Sequence, residues 1–524
     1  MPGPTNPGPA TPGPATPGPA NPAPAPAPFD TAGIETGPDG IRRYTGLPTN
    51  LVRLLRQSVD AAGNQEAVVE LGGVRLTYAE VWDRSARVAG GLREAGVERG
   101  DRVAIRLPNG ADWVLAFWAV QMAGAVAVPV NTRLTEEEVG YVVGDSGAGW
   151  TFLPDTKLPD GRPLTIDDQG PDDVAAIFYT SGTTGFPKGA MTTQENFLSN
   201  CETARRVIGA ARNIRSRTLV SVPLFHVTGC NSQLLSVTQM AGTTVVMPSF
   251  EVHSFLHAIV DERIDNLVSV PAIYWLAVNQ PDFADFDVSG VRWLSYGGAP
   301  IAPDLVRTIM GRFPGARVGN GFGLTETSSI ATYLPHEWAA GHADSVGFPC
   351  PVDDVALDSV DPGTGVGELL VRGPNVVKGY WNKPEATAQA FAGGWLHTGD
   401  LARIDGRGLV YIVDRAKDMI NRGGENVYCV EVENVLAGAP GVFEVAVVAV
   451  PDPVMGEKVG AVLVPRSGHP LDVSAVLRHA EAHLADFKVP QYVAVRIEPL
   501  PRNPGGKIVK PTLRKTTDWG APIR

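Results

Sequence analysis

The sequence predicts an α/β protein: a large, multi-subdomain N-terminal α/β region followed by a small α+β C-terminal domain. Three observations predict it. A chain of 524 residues exceeds what one hydrophobic core supports, so two or more domains are expected. Strand-like and helix-like patterns alternate from Glu66 onward, which argues for a parallel sheet covered on both faces. Past Lys417 the texture changes to a compact strand–helix mixture of about 100 residues, the size of one small domain.

Residues 1–28 stand apart from both domains. Asn6-Pro-Gly-Pro-Ala, Thr11-Pro-Gly-Pro-Ala, Thr16-Pro-Gly-Pro-Ala and Asn21-Pro-Ala-Pro-Ala repeat with a period of five. Glycine is not every third residue, which excludes a collagen helix. Between Met1 and Phe29 there is no charged or large apolar side chain, so the expectation is a disordered, polyproline-like tail. It lacks the cationic start and apolar run of a signal peptide, and its alternative to inertness is a PxxP-type ligand.

The N-terminal region is expected over 29–416. Strands are predicted at 67–71, 101–107 and 126–130, with helices between them. Thr77-Tyr-Ala-Glu80 is a capping box that opens a helix running to about Ala95. Residues 113–130 contain only Gln121 as a strongly polar side chain, long enough to consider as a membrane span. Gly124, Pro129 and the β-branched finish favour a buried helix at 111–124 followed by a buried strand. Further strands are expected at 174–178, 218–222, 242–247 and 266–270, with a helix at 252–261. Residues 361–413 are richer in glycine and strand-like pieces. The C-terminal domain, 417–524, reads as a helix at 431–439, strands at 444–450 and 459–464, a helix at 472–485 and a strand at 492–497.

Composition narrows the function. With 44% apolar and 19% charged residues the chain is an ordinary soluble globular protein. A net charge of −12 speaks against nucleic acid and against a polybasic membrane patch. Cys201, Cys230, Cys350 and Cys429 are scattered without metal spacing, which fits a reducing cytoplasm. Only ten of the 44 basic residues are lysines, so a lysine inside a glycine-rich motif signals a need for an ammonium. That singles out Lys188, Lys417 and Lys507.

Tyr179-Thr-Ser-Gly-Thr-Thr-Gly-Phe-Pro-Lys188-Gly-Ala190 is the most chemically loaded stretch. The apolar run Val174-Ala-Ala-Ile-Phe178 delivers it as a buried strand. Its glycines let backbone N–H groups approach a phosphate, while Ser181, Thr183 and Thr184 add hydroxyls and Lys188 a point charge. It is not a Walker loop: Gly182 and Gly185 are two residues apart, and Gly189 follows Lys188. The Ser-x-x-Lys hydrolase spacing is also absent. The alternative is a surface Gly/Ser/Thr linker.

Five further stretches combine tight geometry with polar groups. Pro223-Leu-Phe-His226-Val-Thr-Gly229 ends an apolar strand on a histidine. Ser295-Tyr-Gly-Gly-Ala-Pro300 is a small-residue turn. Asn320-Gly-Phe-Gly-Leu-Thr325-Glu326-Thr327 sets an aromatic among glycines before a hydroxyl and a carboxylate. Trp395-Leu-His-Thr-Gly-Asp400 presents an acid at a turn. Pro501-Arg-Asn-Pro-Gly-Gly-Lys507 is a second Gly-Lys loop. Singly, each has a plainer reading: a core histidine, a turn aspartate, a helix-start glutamate. Gly319, Gly321 and Gly323 lack the G-x-G-x-x-G form, so no dinucleotide fold is implied.

Taken in order, the six stretches resemble the adenylate-forming superfamily of acyl-CoA synthetases, luciferase-like enzymes and peptide-synthetase adenylation domains, from about Leu51 to Arg514. The resemblance implies an ATP- and Mg²⁺-dependent carboxylate–CoA ligase that makes an acyl-adenylate and then a thioester. Thr180, Ser181, Gly182, Thr183, Thr184, Gly185 and Lys188 then hold the β- and γ-phosphates. Gly298, Ala299, Pro300, Asn320, Gly321 and Phe322 form the adenine site, with Phe322 stacking on the base. Thr325 touches the α-phosphate and Glu326 holds Mg²⁺. Asp400 and Arg415 bind the ribose, with Ile412 beside them. His226 flanks the substrate carboxylate, and Lys507 is the mobile catalytic lysine. Lys417 is the hinge of a swinging C-terminal domain. Gly423, Gly424 and Glu425 approach the pantetheine arm of CoA. Val227, Cys230, Asn231, Tyr296, Gly323 and Ile330 are candidates for the acyl pocket, whose uncharged mixture favours an apolar aliphatic or aryl acid.

The sequence departs from the pattern in places. Phe322 stands where Tyr is usual, Asp414 precedes Arg415 where Gly is common, and Cys429 replaces a common Pro. Residues 143–173 look short, so peripheral strands are expected to be missing. The partners implied are a small carboxylic acid, ATP and CoA, with no nucleic acid and no integral membrane association. The alternatives are transfer to a carrier protein or an amine, activation of a non-carboxylate oxyanion, or a non-catalytic nucleotide-binding scaffold.

Overall fold

The protein is described here by a computed structural model covering residues 28–180, 187–212, 214–299, 301–423, 425–466, 471–502 and 508–523. The proline-rich repeats therefore lie outside the described residues, as do Ser181, Gly182, Thr183, Thr184, Gly185, Pro300, Gly424 and Lys507.

Among the described residues a nine-stranded sheet dominates. Its central strands, Glu66–Glu70, Thr243–Val246, Arg217–Val220, Asn266–Ser269, Trp293–Gly297 and Arg317–Phe322, run parallel. Antiparallel strands flank them at both edges. These strands are short and rich in Val, Leu and Thr because both faces are covered and alternation is not required. One face packs with Val220 and Val246 into a core shared with the helices Leu51–Ala62, Tyr78–Glu94 and Ala111–Met122. The other carries Leu219, Leu267 and Leu294 against Val252–Asp261 and Pro303–Arg312.

A second sheet has five strands in the order Ala148–Phe152, Arg102–Ile105, Val126–Pro129, Val174–Thr180 and Lys188–Thr193. The apolar stretch at 113–130 is a buried helix and a buried strand, as its glycine and proline predict. Among the described residues no helix is long and apolar enough to cross a membrane. The Thr77–Glu80 capping box is present, the glutamate accepting the Thr77 N–H at 2.8 Å. Residues 153–173, between Ala148–Phe152 and Val174–Thr180, hold no helix or strand. They run as a strap over Tyr78–Glu94, with Leu164 N–H donating to Ala86 O at 2.9 Å. The strap approaches so closely that a Cβ on Gly90 would lie 1.8 Å from Arg162 O.

Residues 361–413, expected to be rich in glycine and strand-like pieces, contribute to a four-stranded antiparallel sheet of Asp354–Asp358, Gly367–Arg372, Leu396–Ile404 and Val410–Arg415. Beyond it, Cys429–Ala437 and Val473–His483 pack on an antiparallel pair, Val442–Asp452 and Gly456–Pro465, around a separate core that includes Ile420, Val432 and Val476. The helix begins at Cys429, two residues earlier than its sequence pattern suggested. The N–H of Cys429 donates to the Asp414 carboxylate, and the Arg415 N–H donates to the same carboxylate at 2.7 Å. Asp414 thus caps a helix from across the Lys417 segment. Tyr492–Val495 adds a parallel strand to this sheet.

Burial is the largest influence on the Asp414 carboxyl and pushes it up from 3.8 to about 6. A carboxyl raised in the folded state stabilises the fold most when protonated, and that contribution is lost as pH rises through its folded value. The wild type is therefore expected to lose about 1 kcal/mol of this contribution between about pH 5 and about pH 7. Asp414→Asn should flatten that part of the stability profile, as measured by denaturant titration at the two pH values. An unchanged slope would remove Asp414 as its source.

Candidate functional site

The parallel strands of the large sheet end at one edge, and the polar loops converge there, where open α/β sheets bind ligands. A cavity at this edge has a volume of about 620 Å³. Thr180, Lys188, Thr325, Glu326 and Arg415 line it at one end, together with His226 and Val227. Tyr296, Gly298, Gly321 and Gly323 also line it.

Each of these comes from a defined element. Thr180 ends one strand and Lys188 begins the next, and the two are paired in the antiparallel ladder. The ends of the Gly/Ser/Thr loop are thus fixed by a hairpin, and the lysine lies at its exit. His226 precedes a π-helix, Thr228–Leu235. Such wide turns are uncommon and concentrate at functional sites.

Thr325 and Glu326 sit on a single 3₁₀ turn, Thr325–Thr327. The two following serines have left-handed backbones, with φ of 56° at Ser328 and 140° at Ser329. Non-glycine residues hold such angles only where the surroundings over-determine them. Here Asn231 Nδ2 donates to Ser328 O at 2.6 Å, and Asn200 Nδ2 donates to Ile330 O at 2.8 Å. A Cβ on Gly323 would lie 1.6 Å from Ser329 O, so the turn folds back onto a bare glycine.

The carboxylate and the lysine are tied together by a residue the motif reading missed. Tyr380 Oη donates to Glu326 Oε1 at 2.7 Å, and Lys188 Nζ stands 5.0 Å from the centre of the same ring. Burial, with the Glu326 carboxylate beside it, raises the Tyr380 hydroxyl above its ordinary range. The backbone around it is pinned to the lysine strand: Trp381 N–H donates to Gly189 O at 2.8 Å and Met191 N–H to Gly379 O at 2.9 Å. The only local signal was Lys378-Gly-Tyr380, too short to single out.

Asp400 and Arg415 face each other across an antiparallel pair, with Arg415 Nε 2.6 Å from Asp400 Oδ1. Arg415 lines the cavity and Asp400 does not, and the remaining expected residues lie elsewhere. Cys230 and Asn231 are fully buried and do not line the cavity. The thiol of Cys230 packs into the core, where burial raises it well above its usual range, and Asn231 positions the serine turn instead. Asn320 is buried and donates to Ser345 O at 3.1 Å. Phe322 and Ile412 pack against the core of the four-stranded sheet, outside the cavity wall, and Ala299 is exposed beside Gly298. Lys417, Gly423 and Glu425 are exposed and also lie outside it.

Glu326 is a half-buried carboxylate in the cavity wall with the Thr325 hydroxyl beside it. A hard oxygen donor of this kind suits Mg²⁺, which takes one or two protein carboxylates and completes its shell with phosphate and water.

The comparisons with known proteins agree with this geometry. The profile of AMP-binding enzymes matches residues 55–169 and 150–381, and that of the AMP-binding enzyme C-terminal domain matches 431–507. A feruloyl-CoA synthase of Amycolatopsis is 39% identical over 498 residues, covering 90% of this chain and 99% of the relative. The long-chain-fatty-acid–CoA ligase FadD13 of Mycobacterium tuberculosis is 36% identical, covering 89% and 98%. Among solved structures, o-succinylbenzoate CoA synthetase of Bacillus subtilis bound to its acyl-adenylate superposes with a TM-score of 0.79 at 29% identity, covering 90% and 99%. The same enzyme with ATP and magnesium gives 0.78 at 28% identity, covering 88% and 99%. The chain belongs to the AMP-binding enzyme family, as an ATP-dependent acid–CoA ligase that proceeds through an acyl-adenylate.

Proposed function

We propose that this ligase activates an apolar aliphatic or aryl carboxylic acid in the cytoplasm, with Mg²⁺ bound to Glu326. The observation that carries the reading is the cavity's two-sided character. It is lined by the polar Lys188, Glu326 and Arg415 and by the apolar Val207, Ile208, Val268 and Ile330. Relatives named as a feruloyl-CoA synthase and a long-chain-fatty-acid–CoA ligase support an aryl or aliphatic acid.

In the first step a carboxylate oxygen attacks the α-phosphorus. The bond from that phosphorus to the bridging oxygen breaks, and pyrophosphate leaves in line. Little covalent work falls to the protein, so catalysis is positioning and charge stabilisation. Thr180 and Lys188 hold the departing phosphates with the loop between them, and Thr325 meets the α-phosphate. Asp400 and Arg415 fix the ribose, and His226 borders the acid. Glu326 would hold Mg²⁺, which when bound would supply charge neutralisation at the phosphoryl oxygens. Lys507 contacts the carboxylate and α-phosphate and then withdraws as the C-terminal domain turns about Lys417. In the second step the CoA sulfur, having lost its proton, attacks the adenylate carbonyl and AMP departs. Gly423, Gly424 and Glu425 border the pantetheine arm.

A pyrophosphate-release screen over aliphatic, aryl and short polar acids, run with and without CoA, tests the substrate class. Turnover confined to short dicarboxylates, or products carried only on a carrier protein, would overturn it. Lys507→Ala should lower adenylate formation about 10²–10³-fold while sparing thioester formation from pre-made acyl-AMP. Equal loss of both half-reactions would remove the mobile-lysine role. Tyr380→Phe deletes a hydrogen bond to a charged group and should cost about tenfold or more in kcat/KM for ATP. The loss should appear as a raised Mg²⁺ requirement, and an unchanged requirement would leave Tyr380 a packing residue.

A further inference from the structure

The cavity continues past the catalytic end, between the helix Gln194–Val207 and the strand Asn266–Ser269, to a far wall formed by Arg205, Ile208, Met240 and Asn266. That wall is not uniformly apolar. Asn266 is 4% exposed, lines the cavity, and its Oδ1 has no hydrogen-bond partner. A buried amide oxygen left without a donor costs about 1–3 kcal/mol, which a suitable ligand group recovers.

Arg205 supplies the complementary character. Its Nε and Nη2 donate to the two oxygens of the fully buried Glu202 at 3.0 and 2.7 Å, and its Nη1 donates to Ala210 O at 2.6 Å. Five N–H groups serve those three contacts, so donor capacity remains. Arg206 and Arg212 also reach Glu202, at 2.8 and 3.0 Å, so three guanidinium groups surround one carboxylate. The Ala210 that Arg205 holds packs in one cluster with Met240 and Trp293, and Trp293 is the strand neighbour of Asn266. A donor with capacity to spare and an acceptor lacking a hydrogen thus both line this cavity.

Resting on the acid–CoA ligase reading above, we propose that this wall selects carboxylic acids bearing a terminal hydroxyl, whose hydrogen goes to Asn266 Oδ1. The reach follows from the strand. Val270 lies at the catalytic edge beside Gly298, and Asn266 is four residues back, so the hydroxyl sits about 13 Å from that edge. An extended acid of about ten carbons spans that distance.

The test compares kcat/KM for ω-hydroxydecanoic acid and decanoic acid on the full-length enzyme and on Asn266→Leu. The wild type should favour the hydroxy acid about tenfold, and the variant should lose that preference while keeping or gaining activity on decanoic acid. A wild-type preference for decanoic acid, or a ratio that Asn266→Leu does not move, overturns the proposal. Should the variant fail to fold, the wild type alone decides. An isomer with its hydroxyl at mid-chain should fall below decanoic acid, and equal use of mid-chain and terminal hydroxy acids overturns the far-wall site. Formation of decanoyl-CoA reads the underlying ligase assignment, and the ratio between acids reads the far wall, so the two fail separately.

Discussion

A buried parallel strand satisfies its backbone along its length and can offer polar chain only at its ends. That constraint organises this protein. Strands that are apolar through their middles finish at one edge in the histidine stretch, the small-residue turn and the Thr325–Glu326 turn. The five-stranded sheet brings its own hairpin, with Thr180 and Lys188 at the mouth, to the same place. Chemistry is concentrated at the edge because the rest of each strand has no freedom to carry it.

What holds the edge in shape is a set of short polar ties across distant parts of the chain. Tyr380 joins the glutamate and the lysine. Asn200 and Asn231 grip a turn whose serines sit at unfavourable angles. The strain is confined to the segment following Glu326, where a relaxed turn would aim Thr325 and Glu326 differently. Stiffness at that point is a property of the neighbours as much as of the turn.

Much of this was legible in the sequence. The capping box at Thr77, the alternation through the N-terminal region and the six polar stretches each rest on local periodicity or short-range spacing, and five of those stretches contribute residues to the cavity wall. The rest was not legible for a physical reason: it depends on contacts between residues far apart in the chain. Tyr380 reaches Glu326 across 54 positions, and Asn231 reaches Ser328 across 97. Cys230, a candidate pocket residue in the sequence, lies in the core on the wide helical turn that follows the histidine. Asp414, a departure from the family pattern, caps a helix that starts at Cys429, 15 positions further along the chain.

The four cysteines carry a further consequence. All are free and buried, and burial raises each thiol, so none is an effective nucleophile in this conformation. Cys201 and Cys230 belong to one core, while Cys429 lies beside the Lys417 segment with its thiol donating a hydrogen bond to Asp418 O at 3.0 Å. A swing of the C-terminal domain would disturb Cys429 and leave the others covered. If the C-terminal domain swings, the chain would contain its own clock for the movement: alkylation at Cys429 would keep time with the swing, and alkylation at Cys201 with the opening of the large domain itself.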